Sequence, residues 1–299
     1  MEIVQEIGKG SYATVSLVKP VKHNSCFPSL MAMKSCEESE SASLVKERTY
    51  LDELKDCPDV IKCYGDSYTV VEKEEKLYNV FLEYASCGSL CDRVMNSENT
   101  SLSESEVRRY TRSILKGVDF IHKKGFVHCD MKLENILLFS GDKVKIADFG
   151  LAKKITDEPK SRFKHDIRGS PLYMAPEMVS RGEQGQAADI WAFGCLVLEM
   201  FTRDTAWTCS DVGALFKKIG VGEEIPHIPE TLSDEGRDFL ERCFVKNSRE
   251  RWTAEMLLDH PFVNYEDECL SRSPRSPFEF GDLLDALSEI SSESETESD

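Results

Sequence analysis

His128-Cys129-Asp130-Met131-Lys132-Leu133-Glu134-Asn135, with Asp148-Phe149-Gly150 shortly after it, decides the reading of this chain. An Asp, a Lys two residues on and an Asn three beyond that can converge on one transferring phosphoryl group. A second Asp on a nearby turn can hold Mg²⁺. That constellation belongs to phosphoryl transfer from ATP to a hydroxyl.

The rest of the composition bounds the surroundings of such a site. The chain has 299 residues and a net charge of −17, enough length for one large two-lobed domain. The acidity argues against a nucleic-acid partner, which needs a basic face. It is uneven, because Val263 to Asp299 holds eleven acidic residues against two arginines. Eleven cysteines, with no Cys-x-x-Cys pair, read as reduced thiols of a cytosolic protein rather than a disulfide framework. The segment Met1-Glu2-Ile3-Val4-Gln5-Glu6 has neither the basic region nor the apolar run of a signal peptide, and no Gly follows Met1 for myristoylation. The longest apolar run, Ile190 to Phe201, is too short to span a bilayer and contains Glu199. A soluble cytoplasmic protein with no membrane partner is expected; the nucleus is open to a chain of this size.

Short strand-like runs lead the chain. Val15 and Leu17, then Leu30 to Lys34, are separated by Pro, Asn, Ser and Gly, and Ser67 to Val71 and Leu77 to Glu83 flank the charged turn Glu72 to Lys76. Between them Leu44, Glu47, Leu51 and Leu54 recur at helical spacing. The remainder reads as helical. Ser103-x-x-Glu106 is a capping box ahead of Val107, Tyr110, Ile114, Val118 and Ile121, and Gly125 ends that helix. Ile190 to Phe201 is apolar nearly all round, a buried central helix. Ser233 caps another helix and Pro261 closes a last one. Beyond Phe262 the Ser/Pro-rich and then Ser/Glu/Asp-rich sequence holds too little apolar surface to order itself. Asp282 to Ile290 would make at most a short helix.

These features together resemble a eukaryotic protein kinase over Ile3 to Phe262. The resemblance implies an α+β, two-lobed kinase fold. Residues 1–84 would form a sheet-rich N-lobe with one helix, residues 85–262 a helical C-lobe, and residues 263–299 an acidic, mostly disordered tail. ATP and Mg²⁺ are the implied cofactors. Gly8-Lys9-Gly10-Ser11-Tyr12-Ala13-Thr14-Val15, entered from Ile7, resembles the Gly-rich loop over the ATP phosphates, with Ala13 where a third Gly often sits. Met31-Ala32-Met33-Lys34 resembles the strand whose Lys holds the α- and β-phosphates. Lys34 then needs an acid. Glu47 shares a helical face with Leu44 and Leu51 and points inward, whereas Glu37, Glu38 and Glu40 lie in a stretch without apolar periodicity and are the weaker candidates. Leu82-Glu83-Tyr84-Ala85 looks like the hinge, where backbone groups around Glu83 and Ala85 would bond adenine. Val15, Ala32 and Leu137 would sandwich the ring, with Leu82 behind it. By the same resemblance Asp130 accepts the substrate proton, Lys132 steadies the γ-phosphate, Asn135 binds one Mg²⁺ and Asp148 the other. The Lys two residues after the Asp is of the serine/threonine-specific kind.

Glu177 would pair with Arg251, and Asp189 would hold the catalytic-loop backbone, both in structural roles. Cys129 departs from the pattern, since most kinases carry there an Arg that pairs with an activation-loop phosphate. A thiol makes no such charge-assisted bond. Either this chain depends less on such a phosphate, or Lys153, Lys154, Lys160, Arg162, Lys164 and Arg168 hold one on Thr156 or Ser161; those cations read equally well as a solvated face. The motif set is closest to the small single-domain plant MAP kinase kinase kinases. That likeness implies a MAP kinase kinase as protein substrate, in stress or hormone signalling. A kinase of another branch, or a non-catalytic scaffold, are the competing readings. Ser273-Pro274 and Ser276-Pro277 resemble sites for a downstream MAP kinase, or are a plain extended linker.

Overall fold

In a computed structural model, residues 1–10, 13–21, 27–70, 76–95, 102–155, 168–222 and 224–264 are described, all within a compact unit, Met1–Asn264. The calls on Ser11 and Tyr12, on Thr156, Lys160, Ser161, Arg162 and Lys164, and on the tail lie outside these residues.

The first part is one antiparallel five-stranded sheet in the order β1-β2-β3-β5-β4. Its strands are β1 (Glu2–Lys9), β2 (Thr14–Lys19), β3 (Met31–Glu37), β4 (Cys63–Val70) and β5 (Lys76–Glu83). Strand β1 escaped the sequence pattern for a physical reason. All its residues except Gly8 are exposed, so it carries no buried face whose alternation could reveal it. The inner strands bury a small core on each side, Val18, Met31 and Phe81 on one, Cys36, Tyr78 and Val80 with Leu44 on the other. Leu44 belongs to α1 (Ala42–Glu53), whose inward face is Leu44, Glu47, Tyr50 and Leu51.

The second part is helical: α2 (Leu90–Met95), α3 (Glu104–Lys123), α4 (Pro176–Arg181), α5 (Gln186–Thr202), α6 (Val212–Gly220), α7 (Asp234–Cys243) and α8 (Ala254–Leu258). Two short two-stranded antiparallel sheets lie among them, β6 (Phe126–Val127) with β9 (Lys153–Lys154), and β7 (Ile136–Phe139) with β8 (Lys143–Ile146). Side chains stop the helices from fraying at their starts. Ser103 and Glu106 satisfy each other's backbone N–H groups, and Asp211, Ser233 and Thr253 cap α6, α7 and α8, each worth about 1 kcal/mol. Helix α5 is buried from Ala188 to Met200. Trp191 meets Phe244 edge-on at 5.2 Å and Phe193 meets Phe239 at 6.3 Å. Gly194 lets α7 approach, since a Cβ there would lie 2.7 Å from Cys243 Cβ.

Among the ionisable groups buried in this interior are two glutamates. Glu177, in the first turn of α4, takes two hydrogen bonds from Arg251, at 2.7 and 2.9 Å, and Arg251 also donates to the carbonyls of Val245 and Ala187. Both side chains are buried. Glu199 of α5 accepts a hydrogen bond from the Tyr173 hydroxyl. Burial pushes its carboxyl up to about 7, Tyr173 partly opposing and Glu134 adding to the rise.

Arg251→Met should leave Glu177 a buried, unpaired charge and cost about 3–5 kcal/mol, read as a lower midpoint in denaturant. Glu199 has its pKa raised on folding, so its contribution is complete below about pH 4.5 and disappears as pH rises through about 7. Glu199→Gln keeps the bond from Tyr173 without the charge. Its thermal midpoint should gain on the parent by about 5–10 °C between pH 5 and pH 7.5; a constant difference would show that Glu199 does not titrate in this window.

Candidate active site

Strand register sets the first half of the site. Lys34 stands opposite Val15 on β2 and Val80 on β5, and Ala32 opposite Leu17 and Leu82. Alternation puts Ala32 and Lys34 on one face of the sheet. Helix α1 brings Glu47, 1% exposed, against Lys34 Nζ, 2.7 Å from Oε2. The same ammonium lies 2.9 Å from Asp148 Oδ1. The other Glu47 oxygen accepts from the Phe149 N–H at 3.2 Å, so Glu47 joins β3 to the Asp148 turn. Burial alone would lower the Lys34 pKa, but the two carboxylates reverse this and hold it above the usual lysine range. Asp148 is likewise pushed up by burial and then brought below the usual carboxylate range by Lys34. Glu37, Glu38 and Glu40 remain exposed, at the end of β3 and in the turn after it.

A buried carboxylate shapes the second half. Asp189, in the first turn of α5, accepts from the backbone N–H of His128 at 2.8 Å and of Cys129 at 2.9 Å, with the His122 ring 2.9 Å away. The His122 bond keeps its pKa low against burial. These bonds hold Cys129 at φ 70°, as Asp148 is held at φ 61°, a region costly for residues with a Cβ. Asp130 is thereby turned toward the helical side of the site. Its Oδ1 accepts from Ser170 N at 3.0 Å and Ser170 Oγ at 2.9 Å. Its Oδ2 lies 3.0 Å from Lys132 Nζ and accepts from Asn135 Nδ2 at 3.1 Å. Lys132 Nζ also donates to Ser170 Oγ at 3.1 Å. Gly169, at φ 104°, lies where a Cβ would be 2.4 Å from the Cys129 carbonyl oxygen, so this approach requires glycine.

Three contacts join the halves. The His128 ring bonds the Ala147 carbonyl at 3.0 Å and packs edge-on to Phe149 at 4.9 Å, and Ala147 N donates to the Asn135 carbonyl at 2.8 Å. Thus Lys34, Glu47 and Asp148 form one cluster, and Asp130, Lys132 and Asn135 another. Of the remaining sequence candidates, Ile7, Gly8 and Lys9 end β1, and Gly10 N–H closes on the Ala13 carbonyl at 2.8 Å. Val15 and Leu137 are half-buried, as are Leu82, Glu83 and Ala85. The Glu83 side chain is committed elsewhere, to Lys145 Nζ at 2.7 Å, and its N–H to the Lys62 carbonyl at 2.8 Å. Any ring edge here would have to use the Glu83 carbonyl and Ala85.

Ser170 is expected only within the Gly169–Met174 segment that receives the residue after the target hydroxyl; its bonds to Asp130 and the role of the His128 ring were not foreseen. A hydroxyl straight after Gly169 was the available signal for Ser170; nothing in the sequence singled out the ring of His128. Lys154, expected among the cations around the activation segment, instead pairs with Glu53 at 2.6 Å.

The donor set fits a hard divalent cation. The Asp148 carboxylate is about half exposed, and Asn135 commits its amide nitrogen to Asp130, at 2.8 Å from the carbonyl and 3.1 Å from the carboxylate, which leaves its amide oxygen as the ligand. Mg²⁺ takes few protein oxygens and completes its shell with phosphate and water.

The sequence matches the protein kinase domain over residues 1–263. It is 48% identical over 298 residues to mitogen-activated protein kinase kinase kinase 20 of Arabidopsis thaliana, covering 93% of this chain and 86% of that protein. It is 40% identical to kinase kinase kinase 17 of that plant (90% and 73% covered) and 38% identical to kinase kinase kinase 18 (89% and 78% covered). The chain belongs to the protein kinase family and is a serine/threonine kinase of the mitogen-activated protein kinase kinase kinase type.

Proposed function

We propose that this chain transfers the γ-phosphoryl group of ATP to Ser or Thr of a MAP kinase kinase, in a stress or hormone signalling cascade. The observation that carries the reading is Lys34, gripped by Glu47 and 2.9 Å from Asp148. Protein kinases use ATP and Mg²⁺; bound here, Mg²⁺ would neutralise charge on the phosphate oxygens. Asp148 and Asn135 would hold it. Lys34 would hold the α- and β-phosphates in place, with Glu47 fixing its reach. Ile7, Gly8, Lys9, Gly10, Ser11, Tyr12 and Ala13 would cover the phosphates, and Val15, Ala32, Leu82 and Leu137 would enclose the adenine. Asp130 would take the proton of the acceptor hydroxyl, and Lys132 would steady the departing phosphoryl group. Most of the rate then comes from positioning and charge complementarity.

The complete set Lys34, Glu47, Asp130, Asn135 and Asp148 favours catalysis over a scaffold role. The substrate tier rests on the names and identities of the relatives. A downstream MAP kinase acting on Ser273 and Ser276 fits the Ser-Pro pairs, and a cytoplasmic site with access to the nucleus fits the nine free cysteines among the described residues.

The purified chain, incubated with Mg-ATP and a panel of inactive MAP kinase kinases, should phosphorylate at least one on Ser or Thr. Asp130→Asn preserves shape and should lower kcat by about 100-fold or more with an unchanged thermal midpoint. Lys34→Met should abolish transfer and also lower the midpoint, because Glu47 loses its cation. Transfer by Lys34→Met at the parent rate would refute the site.

A further inference from the structure

Helix α1 is where a productive site can be lost, because Glu47 rides on it. A single ion pair to Lys34 would let the helix pivot. The structure ties it down at three levels. Near its start, Ser43 Oγ donates to the Gly150 carbonyl at 3.1 Å. In its middle, Glu47 accepts from Phe149 N. At its end, both Glu53 oxygens meet Lys154 Nζ, at 2.8 and 2.6 Å. Ser43 and Glu53 are separated by roughly 15 Å along the helix axis, so the two end contacts resist swinging as well as rotation.

Lys154 is itself well anchored. Its backbone pairs with Phe126 in the β6·β9 ladder, directly ahead of the catalytic loop. Its ammonium lies 5.1 Å from the centre of the Phe126 ring, against which Tyr50 of α1 packs edge-on at 4.9 Å. Cys129 is buried, and burial raises the pKa of its thiol, so position 129 is uncharged. The Glu53–Lys154 pair thus ties α1 to β9, whose partner strand β6 leads into residues 128–130.

We infer that Glu53 and Lys154 are positioning residues for phosphoryl transfer, their ion pair acting with the Ser43 bond to hold α1 against the Asp148 turn without a phosphate on the chain. The inference rests on the kinase reading above. A partly exposed pair of this kind is modest in energy, so its loss should tilt the helix population and not unfold the protein.

The test uses the full chain, treated with phosphatase, with transfer to a MAP kinase kinase and amide exchange as readouts. The treated parent should retain at least half its rate. Glu53→Gln and Lys154→Met should each lower kcat about three- to five-fold. Both should speed exchange of the amides in residues 44–52, with the thermal midpoint within about 2 °C of the parent. The charge-swapped double variant, Glu53→Lys with Lys154→Glu, should recover to within about two-fold. Single variants at the parent rate, unchanged exchange in α1, a swap as slow as the singles, or a parent silenced by phosphatase would each overturn the inference. A parent inactive both before and after phosphatase would overturn the kinase reading instead, and the exchange of α1 would still report on the tie itself.

Discussion

The Lys34 ammonium, shared between Glu47 and Asp148, is the interaction on which the rest depends. It draws on three separate parts of the chain: a central strand, the helix after it, and a turn more than a hundred residues later. Glu47 is buried, and a buried carboxylate without a cation is costly. The sheet, α1 and the Asp148 turn therefore reach low energy only when all three meet. Desolvation sharpens the requirement, since the same burial that would discharge an isolated lysine strengthens its attraction to two carboxylates.

A second carboxylate does comparable work deeper in the molecule. Asp189 stands on the most buried helix and holds the backbone of His128 and Cys129. The core therefore dictates the conformation of the catalytic loop directly. Left-handed backbone at Cys129 and Asp148 is retained because the surrounding bonds over-determine it. The Asp130 carboxylate, at the end of this braced stretch, is held by Ser170, Lys132 and Asn135.

Much of this was legible in the sequence. The Asp130–Asn135 spacing and the Asp148 turn pointed to residues that the structure brings into two adjoining clusters. Helical spacing selected Glu47 over three nearer glutamates, because inward-facing positions on α1 are fixed by Leu44 and Leu51. The apolar run around Trp191 announced the central helix. The strand β1 was not legible, since a strand without a buried face has no alternation to read. Neither were Ser170 against Asp130 nor Lys154 against Glu53. Both join segments distant in sequence through polar side chains, and such pairings leave no periodic trace. Cys129 was visible as a departure from the pattern, and its left-handed backbone only in the structure.

The leading strand has a further consequence. β1 forms one rim of the sheet, and Ile3 and Val4 lie open to solvent, 61% and 49% exposed. A straight, uncharged rim of that kind would invite a neighbouring molecule to add its own strand. Here Glu2, Glu6 and Lys9 interrupt it, and the pairing with β2 slips twice, between Ile3 and Gln5 and between Glu6 and Gly8. Charge along the strand and its slipped register both make this edge a poor template for a second copy of the chain.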